Sequence, residues 1–512
     1  MGRKNLTAWS WGGIVLLAAV LYLPILSWPL DKGVLSHYFY PLTFNLIDDI
    51  PTWILAREPN PHADFLRPVT HLFLYLEFLI AGYHPLGVRL THLVLHLGAV
   101  LSLWMLARFL FGSTRWGILA AAIFAIHPNA VDAVILPTPQ DLLATLFLLL
   151  GLIGWGKYLT QDRSGSAVRL SAIALLFSLA LLAKELSLAF PLLALALHLT
   201  LKLQNRPSLL PLKRCWTGYL VLGVVVALYW AYRFAELSGA GGYLGSGLFS
   251  PNTLILRNML RVVNGAFGIE NQIAPLSALK IGPMAASLVA LAITLWGIRP
   301  RRIGNPNWAT AWGFISMFLA AATMLNIKWM GWWYMYLPLS CATMGIAGFI
   351  KEMAEKLASR LIFIRTVVVA IIALLALSTH QHLRAVAESR EPEWTMLTAV
   401  RDTLLPAPGS RLYVLDRHVL LSFEHIQNLS HANVYPTTSS LFFAPVYDVV
   451  VMMDAPNGGI LVGYNVKTLD QISIQPEDRV FSFHSRNGKP DFAPIEWDVV
   501  ARALPFKDNS RR

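Results

Sequence analysis

Residues 1–380 of this chain consist of long apolar stretches separated by short polar or proline-rich segments. A helix needs about 20 apolar residues to cross the hydrocarbon core of a bilayer. The pattern predicts eleven such helices, over residues 11–28, 86–107, 116–130, 139–156, 169–184, 186–201, 216–234, 281–298, 308–327, 332–350 and 366–380.

The tail, residues 381–512, lacks such stretches and is predicted to form a small domain of its own. Residues 383–404 have helical periodicity, whereas Arg411–Leu415 and Val446–Met453 have the pattern of strands. The predicted fold is therefore a polytopic α-helical membrane domain, residues 1–380, followed by a small α/β domain.

Composition excludes a soluble enzyme, because 55% of the residues are hydrophobic and 14% are charged, against about 25% charged in soluble proteins. The net charge of +12 does not indicate a nucleic-acid partner. The excess of basic over acidic residues lies in residues 1–380, which contain 28 basic and 14 acidic side chains. The tail contains 13 basic and 15 acidic side chains. The two cysteines, Cys215 and Cys341, are too far apart in sequence for a CxxC metal motif and give no disulfide framework.

The high hydrophobic content and the low charged content predict the lipid bilayer as the partner of this chain.

Basic residues also predict the orientation of the helices. Eighteen of the 28 fall in the segments that are inside if the N-terminus is cytoplasmic, as the positive-inside rule requires. Eleven of the 14 acidic residues then lie outside, and so does the tail. A further span at 69–82 would invert this order, so that segment is predicted to lie at the outer interface or to re-enter there. With the first helix kept as an anchor, the predicted location is the bacterial inner (plasma) membrane.

The long first outer loop, residues 29–85, contains the adjacent acids Asp48 and Asp49. Repulsion between neighbouring carboxylates favours proton binding by one of them, which suits a general base. The alternative is that one of them caps the turn that begins at Pro51.

The second predicted helix opens with Arg89, His92 and His96, whose spacing places them on one helical face. An arginine at the mouth of a cavity can bind a phosphate through two parallel hydrogen bonds. In the alternative interpretation, the histidines form hydrogen bonds between helices, and the arginine extends its side chain to the membrane surface. A zinc site is less favoured, since it needs further ligands.

Three more outer segments carry polar residues, and each has a structural alternative. His127 and Asp132 lie where a helix meets Pro128, in a segment that also carries Asp141, and the proline is also typical of a helix end. Lys184 and Glu185 lie at the tip of a helical hairpin, where they could form an ion pair with each other. Lys328 and Tyr334 accompany several tryptophans, a composition typical of an aromatic belt at the membrane interface.

In this order, the segments resemble the membrane glycosyltransferases of the GT-C superfamily. The protein O-mannosyltransferase branch, and its relatives with tetratricopeptide repeats, are the most similar. Besides the acidic pair, the matching motifs are FRPLT, G-x-H-x-x-N-x-x-x-H, HP-x-x-x-E-A-V, AKE and YLYLPS, at Phe65–Thr70, Gly87–His96, His127–Val134, Ala183–Glu185 and Tyr334–Pro338.

The resemblance implies inverting transfer of a sugar from a polyprenyl-phosphate carrier to a protein or glycan acceptor outside the membrane. Asp48 or Asp49 would be the general base. The donor-phosphate or substrate-binding residues would be Arg67, Arg89, His92, His96, His127, Asp132, Lys184, Glu185, Lys328 and Tyr334. The resemblance fixes no cofactor and leaves open a divalent cation, Mg or Mn.

This sequence departs from the motifs at three places. Arg89 and His92 stand where relatives have His and Asn, and Trp332–Trp333 replaces a Glu-Arg pair. The arginine that usually follows the HP stretch is missing, and the sequence shows no tetratricopeptide repeat. Arg89, Lys184 or Lys328 would then have to bind the donor phosphate. A transporter or flippase of a lipid-linked glycan is the main alternative, although no internal repeat supports it. A third is a structural subunit that recognises glycans through its tail.

Overall fold

The computed structural model describes most of the helical part of the chain and five strands of the tail. The described residues are 3–28, 54–55, 65–81, 85–136, 138–160, 166–206, 209–210, 215–237, 254–268, 283–305, 307–325, 332–357, 359, 361–403, 411–416, 448–454, 460–464, 479–486 and 489–494. Three predicted site residues, Asp48, Asp49 and Lys328, lie outside them.

Apolar stretches form helices because a helix satisfies its own backbone hydrogen bonds. The α-helices are α1 Arg3–Tyr22, α2 Pro68–Ala81, α3 Pro85–Phe111, α4 Thr114–Ala125, α5 Pro128–Ile135, α6 Gln140–Thr160, α7 Ser166–Ala183, α8 Phe190–Leu203, α9 Trp216–Leu237, α10 Leu254–Ala266, α11 Pro283–Ile298, α12 Trp308–Ala321, α13 Tyr336–Lys356 and α14 Leu361–Thr403. Short 3₁₀ helices at Leu23–Ser27, Glu185–Ala189, Ala322–Met324 and Trp332–Met335 adjoin α1, α8, α12 and α13.

Long apolar helices identify an integral membrane protein. Among the described residues, seven helices are long and apolar enough to cross a membrane, or eight if α4 and α5 together form one span. Each of the eleven predicted segments falls on a helix, but those at 11–28, 281–298 and 308–327 fall on shorter ones. The predicted count of eleven spans therefore stays a prediction.

Segment 69–82, predicted as an interfacial or re-entrant helix, is α2, with 14 residues. The predicted helices at 366–380 and 383–404 are one continuous helix, α14, of 43 residues. No glycine or proline occurs between 361 and 391, so nothing in that sequence breaks the helix.

A 60° bend separates α4 from α5, at His127. Pro128 is the first residue of α5, where its missing N–H leaves no hydrogen bond unmade. The His127 ring accepts a hydrogen bond from the backbone N–H of Asn129 and caps the new helix. The predicted span 116–130 is therefore broken at its proline and not straight.

Close packing of α12 against α13 depends on glycine. A Cβ atom on Gly313 would lie 2.7 Å from the Cα of Gly345, and one on Gly345 would lie 2.8 Å from the Phe314 ring. Small residues allow helices to approach in lipid, where packing is the main attraction between them.

The described part of the chain forms two compact units. The first contains the helices as far as Leu383, apart from the end of α2, and the second contains the strands. The strands are β1 Arg411–Asp416, β2 Asp448–Asp454, β3 Ile460–Tyr464, β4 Arg479–Arg486 and β5 Lys489–Pro494.

These strands form one mixed sheet in the order β3-β2-β1-β4-β5. Strand β1 pairs antiparallel with β2, with Arg411 opposite Met453, and parallel with β4, with Leu412 opposite Arg479. The sequence indicates β1 and β2 but not the others. Gly463 is a weak strand former within β3. Strand β5 contains two prolines, which sheets tolerate in an edge strand.

Candidate functional site

Buried charged and polar side chains meet at the ends of several helices. We call this group the Lys184 cluster, and its members are Arg67, Gln140, Asp141, Lys184, Glu185 and Tyr334. All of them lie at helix ends, which explains how a long apolar sequence brings them together.

Local structure places each member. Arg67 directly precedes α2, Gln140 and Asp141 open α6, and Lys184 is the single extended residue between α7 and the 3₁₀ helix that starts at Glu185. Carboxylates in the first turn of a helix are stabilised by its dipole. Asp141 occupies such a position, in the first turn of α6.

Lys184 is fully buried, with 0% of its surface exposed. Its ammonium donates to both carboxylate oxygens of Asp141, at 2.5 and 2.6 Å, and lies 4.3 Å from the ring centroid of Tyr334. A buried ammonium requires such partners, because its desolvation costs several kcal/mol. The ring face adds a cation–π contact.

Arg67 forms the second buried ion pair of the cluster. Its guanidinium donates to both oxygens of Glu185, at 3.0 and 3.3 Å, and to the side-chain oxygen of Gln140, at 2.7 Å. It also lies 4.0 Å from the Phe65 ring. The planar guanidinium suits this arrangement, because its donors form a fixed fork.

These pairings overturn the interpretation of Lys184 and Glu185 as an ion pair with each other at a turn. Each of the two neighbours binds a partner from a different helix end, Asp141 and Arg67. The aromatic-belt interpretation is likewise wrong for Tyr334, since its side chain is buried against Lys184.

A further cation lies next to the cluster. Arg233, near the end of α9, is buried, donates to the Tyr229 hydroxyl at 2.7 Å and interacts electrostatically with Glu185. Among the described residues, three cations, Arg67, Lys184 and Arg233, then face two carboxylates. These five charged side chains therefore form a compact buried network in the described part of the chain.

Arg89 and His92 lie in a second buried group, at the start of α3. One guanidinium nitrogen of Arg89 donates to the carbonyl of Ile135 at 2.6 Å, and His92 Nδ1 donates to that of Val134 at 3.2 Å. The other ring nitrogen of His92 lies 4.0 Å from Glu77, which accepts a hydrogen bond from Thr91. Both side chains thus satisfy carbonyls that the end of α5 leaves free.

The burial of Arg89 bears on both interpretations of its role, phosphate binding and snorkelling. Only 1% of its surface is exposed, so it does not snorkel to headgroups in this structure. It also does not stand at an open mouth, as the sequence predicts for a phosphate ligand. Its role toward a donor stays a prediction.

His96 is fixed by hydrogen bonds on both ring nitrogens. The Tyr336 hydroxyl donates to Nδ1 at 2.7 Å, and Nε2 donates to the Ala125 carbonyl at 3.2 Å. This is the hydrogen bonding between helices that the sequence leaves open for the histidines, and it ties α3 to α4 and α13.

The bend at His127 is held by other helices as well. His127 Nε2 donates to the Ala266 carbonyl at 3.2 Å, and Thr379 of α14 donates to the Ile126 carbonyl at 2.6 Å. Asp132 accepts from His382 Nε2 at 2.9 Å. His127 and Asp132 therefore hold helices together in this structure.

Sequence reasoning did not assign Asp141, Gln140 or Arg233 to the site. The available signal for the first two is their position, directly after the proline-containing break at 137–139 and at the start of a long apolar stretch. Arg233 has a similar signal, a cation at the outer end of a predicted helix. Among the described residues, no group of three or more His, Cys, Asp or Glu side chains is arranged to hold a metal ion.

The match to a known protein family includes most of the Lys184 cluster. Residues 61–230 match the family model described as dolichyl-phosphate-mannose-protein mannosyltransferase. The chain is 36% identical over 121 residues to protein O-mannosyl-transferase Tmtc1 of Drosophila melanogaster, 23% of this chain and 14% of that protein. It is 28% identical over 130 residues to TMTC4 of Homo sapiens, 22% of this chain and 18% of that protein. These matches confirm the resemblance to GT-C membrane glycosyltransferases, but they span less than a fifth of those relatives.

Two solved structures resemble the chain at low identity. The oligosaccharyltransferase of Archaeoglobus fulgidus has a TM-score of 0.48 and 13% identity, over 84% of this chain and 64% of that chain. ArnT of Cupriavidus metallidurans, bound to undecaprenyl phosphate, has a TM-score of 0.47 and 11% identity. The match covers 98% of this chain and 96% of that chain. At these scores they add nothing about the site of this chain.

Proposed function

We propose that the chain is an integral-membrane inverting glycosyltransferase that moves a sugar from a polyprenyl-phosphate donor to an acceptor hydroxyl outside the membrane. The observation that carries the proposal is the mannosyltransferase match over 61–230, which includes every member of the Lys184 cluster except Tyr334. The acceptor is a protein or a glycan, and the location is the bacterial inner membrane with the tail outside.

Charge supports a phosphate-containing donor. Three described cations, Arg67, Lys184 and Arg233, converge in a buried setting, where electrostatic attraction is stronger than in water. A lipid phosphate that leaves with two negative charges is stabilised by such a site. The long apolar helices beside it can accommodate the polyprenyl tail.

In the proposed reaction, the carboxylate of Asp48 or Asp49 takes the proton of the acceptor hydroxyl. The acceptor oxygen then attacks the anomeric carbon while its bond to the phosphate oxygen breaks. That bond's electron pair leaves with the lipid phosphate, and a single displacement inverts the anomeric centre. Arg89 is the first choice for contacting the phosphate, with Lys184 and Lys328 behind it.

Lys184 could reach a phosphate only by exchanging partners. Its ammonium is held by both oxygens of Asp141. A donor phosphate would have to replace that carboxylate, so Lys184 is a weaker candidate than its position in the sequence motif indicates.

The test is incubation of the purified chain with labelled polyprenyl-phosphate sugars and an acceptor peptide or glycan. Release of free polyprenyl phosphate, together with labelled acceptor, supports the proposal. The flippase alternative predicts movement of the intact labelled lipid across a proteoliposome without release. Transport without release would contradict the proposal.

A further inference from the structure

A second cluster of cations lies at the other end of α13 from the Lys184 cluster. Tyr334 lies two residues before this helix, in the adjoining 3₁₀ helix, and Lys356 ends it. A helix of 21 residues is about 30 Å long, which is the thickness of the hydrocarbon core. The two clusters therefore belong to opposite membrane surfaces.

The second cluster is built around one aromatic ring, and we call it the Trp296 cluster. The Arg299 guanidinium carbon lies 3.3 Å and the Lys356 ammonium 4.3 Å from the Trp296 ring centroid. Both contacts are short enough for cation–π attraction. The ring thus holds two cations close to each other, one directly after the end of α11 and one at the end of α13.

Carboxylates neutralise only part of the charge here. The buried Glu352 accepts from Arg301 at 2.6 Å, and Glu355 pairs with Lys351 at 2.8 Å. Among the described residues of 299–302 and 351–356, five cations face two carboxylates, which leaves a surplus of three positive charges. Arg299 is 3.6 Å from Glu352 and keeps 42% of its side chain exposed.

Exposed apolar side chains adjoin these cations. Leu295, directly before Trp296, is 60% exposed, and Ile303 is 70% exposed. A soluble anion would gain nothing from them. A lipid would place its acyl chains on this apolar surface and its headgroup phosphate between the cations.

We propose that the Trp296 cluster binds the headgroup of an anionic phospholipid. Arg299 and Lys356 contact the phosphate, and the Trp296 ring lies at the level of the glycerol backbone, where tryptophan is enriched in membrane proteins. This site is separate from the proposed transferase site and does not depend on it.

The experiment is a lipid titration of the delipidated, detergent-solubilised full chain, followed by native mass spectrometry. The probes are a phosphatidylglycerol and a phosphatidylcholine with the same acyl chains. We expect saturable binding of phosphatidylglycerol, roughly tenfold tighter than that of phosphatidylcholine. The double variant R299Q/K356Q should lose most of this preference, and R299K should keep most of it.

The matched control is R115Q/K157Q, which removes two exposed cations from two other predicted inner loops. It should leave the preference within about twofold of the wild type, because charges are screened beyond about 10 Å. Inorganic phosphate at the same concentration should not displace the lipid. The proposal is wrong if both double variants weaken binding equally, if inorganic phosphate displaces the lipid, or if the wild type shows no preference.

Discussion

Lys184 and Asp141, 43 positions apart, form a buried ion pair in which one ammonium contacts both carboxylate oxygens. This pair joins the end of α7 to the start of α6. Its partner pair, Arg67 and Glu185, joins the start of α2 to the same turn. The helix ends at the candidate site are thus held together by charge, within an otherwise apolar bundle.

Asparagine at Asp141 should destabilise the protein. The change Asp141→Asn leaves the Lys184 charge buried without its anion, and breaking a buried pair costs about 3–5 kcal/mol. We expect a clear drop in the midpoint of thermal unfolding in detergent. The double variant Asp141→Leu/Lys184→Met should recover most of the loss, because both charges are removed together. An Asn variant as stable as the wild type would show that the pair contributes little.

Substitution of the acidic pair should abolish transfer without unfolding the protein. Asp48→Asn or Asp49→Asn removes a carboxylate and keeps the side-chain shape, and loss of a general base lowers rates by about 100- to 10,000-fold. The measurement is the initial rate of polyprenyl-phosphate release. Glu58→Gln, an acid of the same predicted loop, is the matched control and should keep its rate. Wild-type rates in both Asn variants would exclude this pair as the base.

Arg89 variants should separate phosphate binding from a purely structural role. Arg89→Lys keeps the charge but loses the planar fork, so donor KM should rise less than in Arg89→Ala. Both variants lose or weaken the hydrogen bond to the Ile135 carbonyl, so thermal unfolding is measured alongside. Folded variants with unchanged donor KM would leave Arg89 with only its capping role.

The tail should lie outside the cytoplasm. The asymmetry of basic residues places the end of the last span outside, so a reporter that is active only in the periplasm should be active when fused after residue 400. A fusion at residue 160, in a predicted inner loop, is the control and should be inactive. The reverse pattern, in expressed fusions, would invert the topology.

Much of the helical fold can be predicted from the sequence because hydropathy is a local property. Every predicted apolar segment falls on a helix. The number of membrane-spanning helices is harder to predict. For example, α12 has 14 residues and is shorter than the predicted segment 308–327. Helix length depends on where neighbouring helices and loops end it.

Pairing within the site could not be predicted in the same way. The sequence indicates that Lys184 and Glu185 lie at a turn, but not that each binds a residue from another helix end. Arg67 and Glu185 are 118 positions apart, and no local pattern links them. The FRPLT and AKE motifs mark both residues as relevant, and only the folded bundle shows that they are partners.

The bend at His127 has a consequence for how the chain is assembled in the membrane. Two carbonyls at the bend, of Ala125 and Ile126, accept hydrogen bonds from side chains of α3 and α14, His96 and Thr379. Helix α3 is synthesised before the bend, but α14 only about 250 residues later. Until then, the Ile126 carbonyl, which is buried in the folded bundle, lacks its Thr379 partner. We therefore expect that nascent chains that end before α14 lack this contact, and that the addition of α14 completes the packing at the bend.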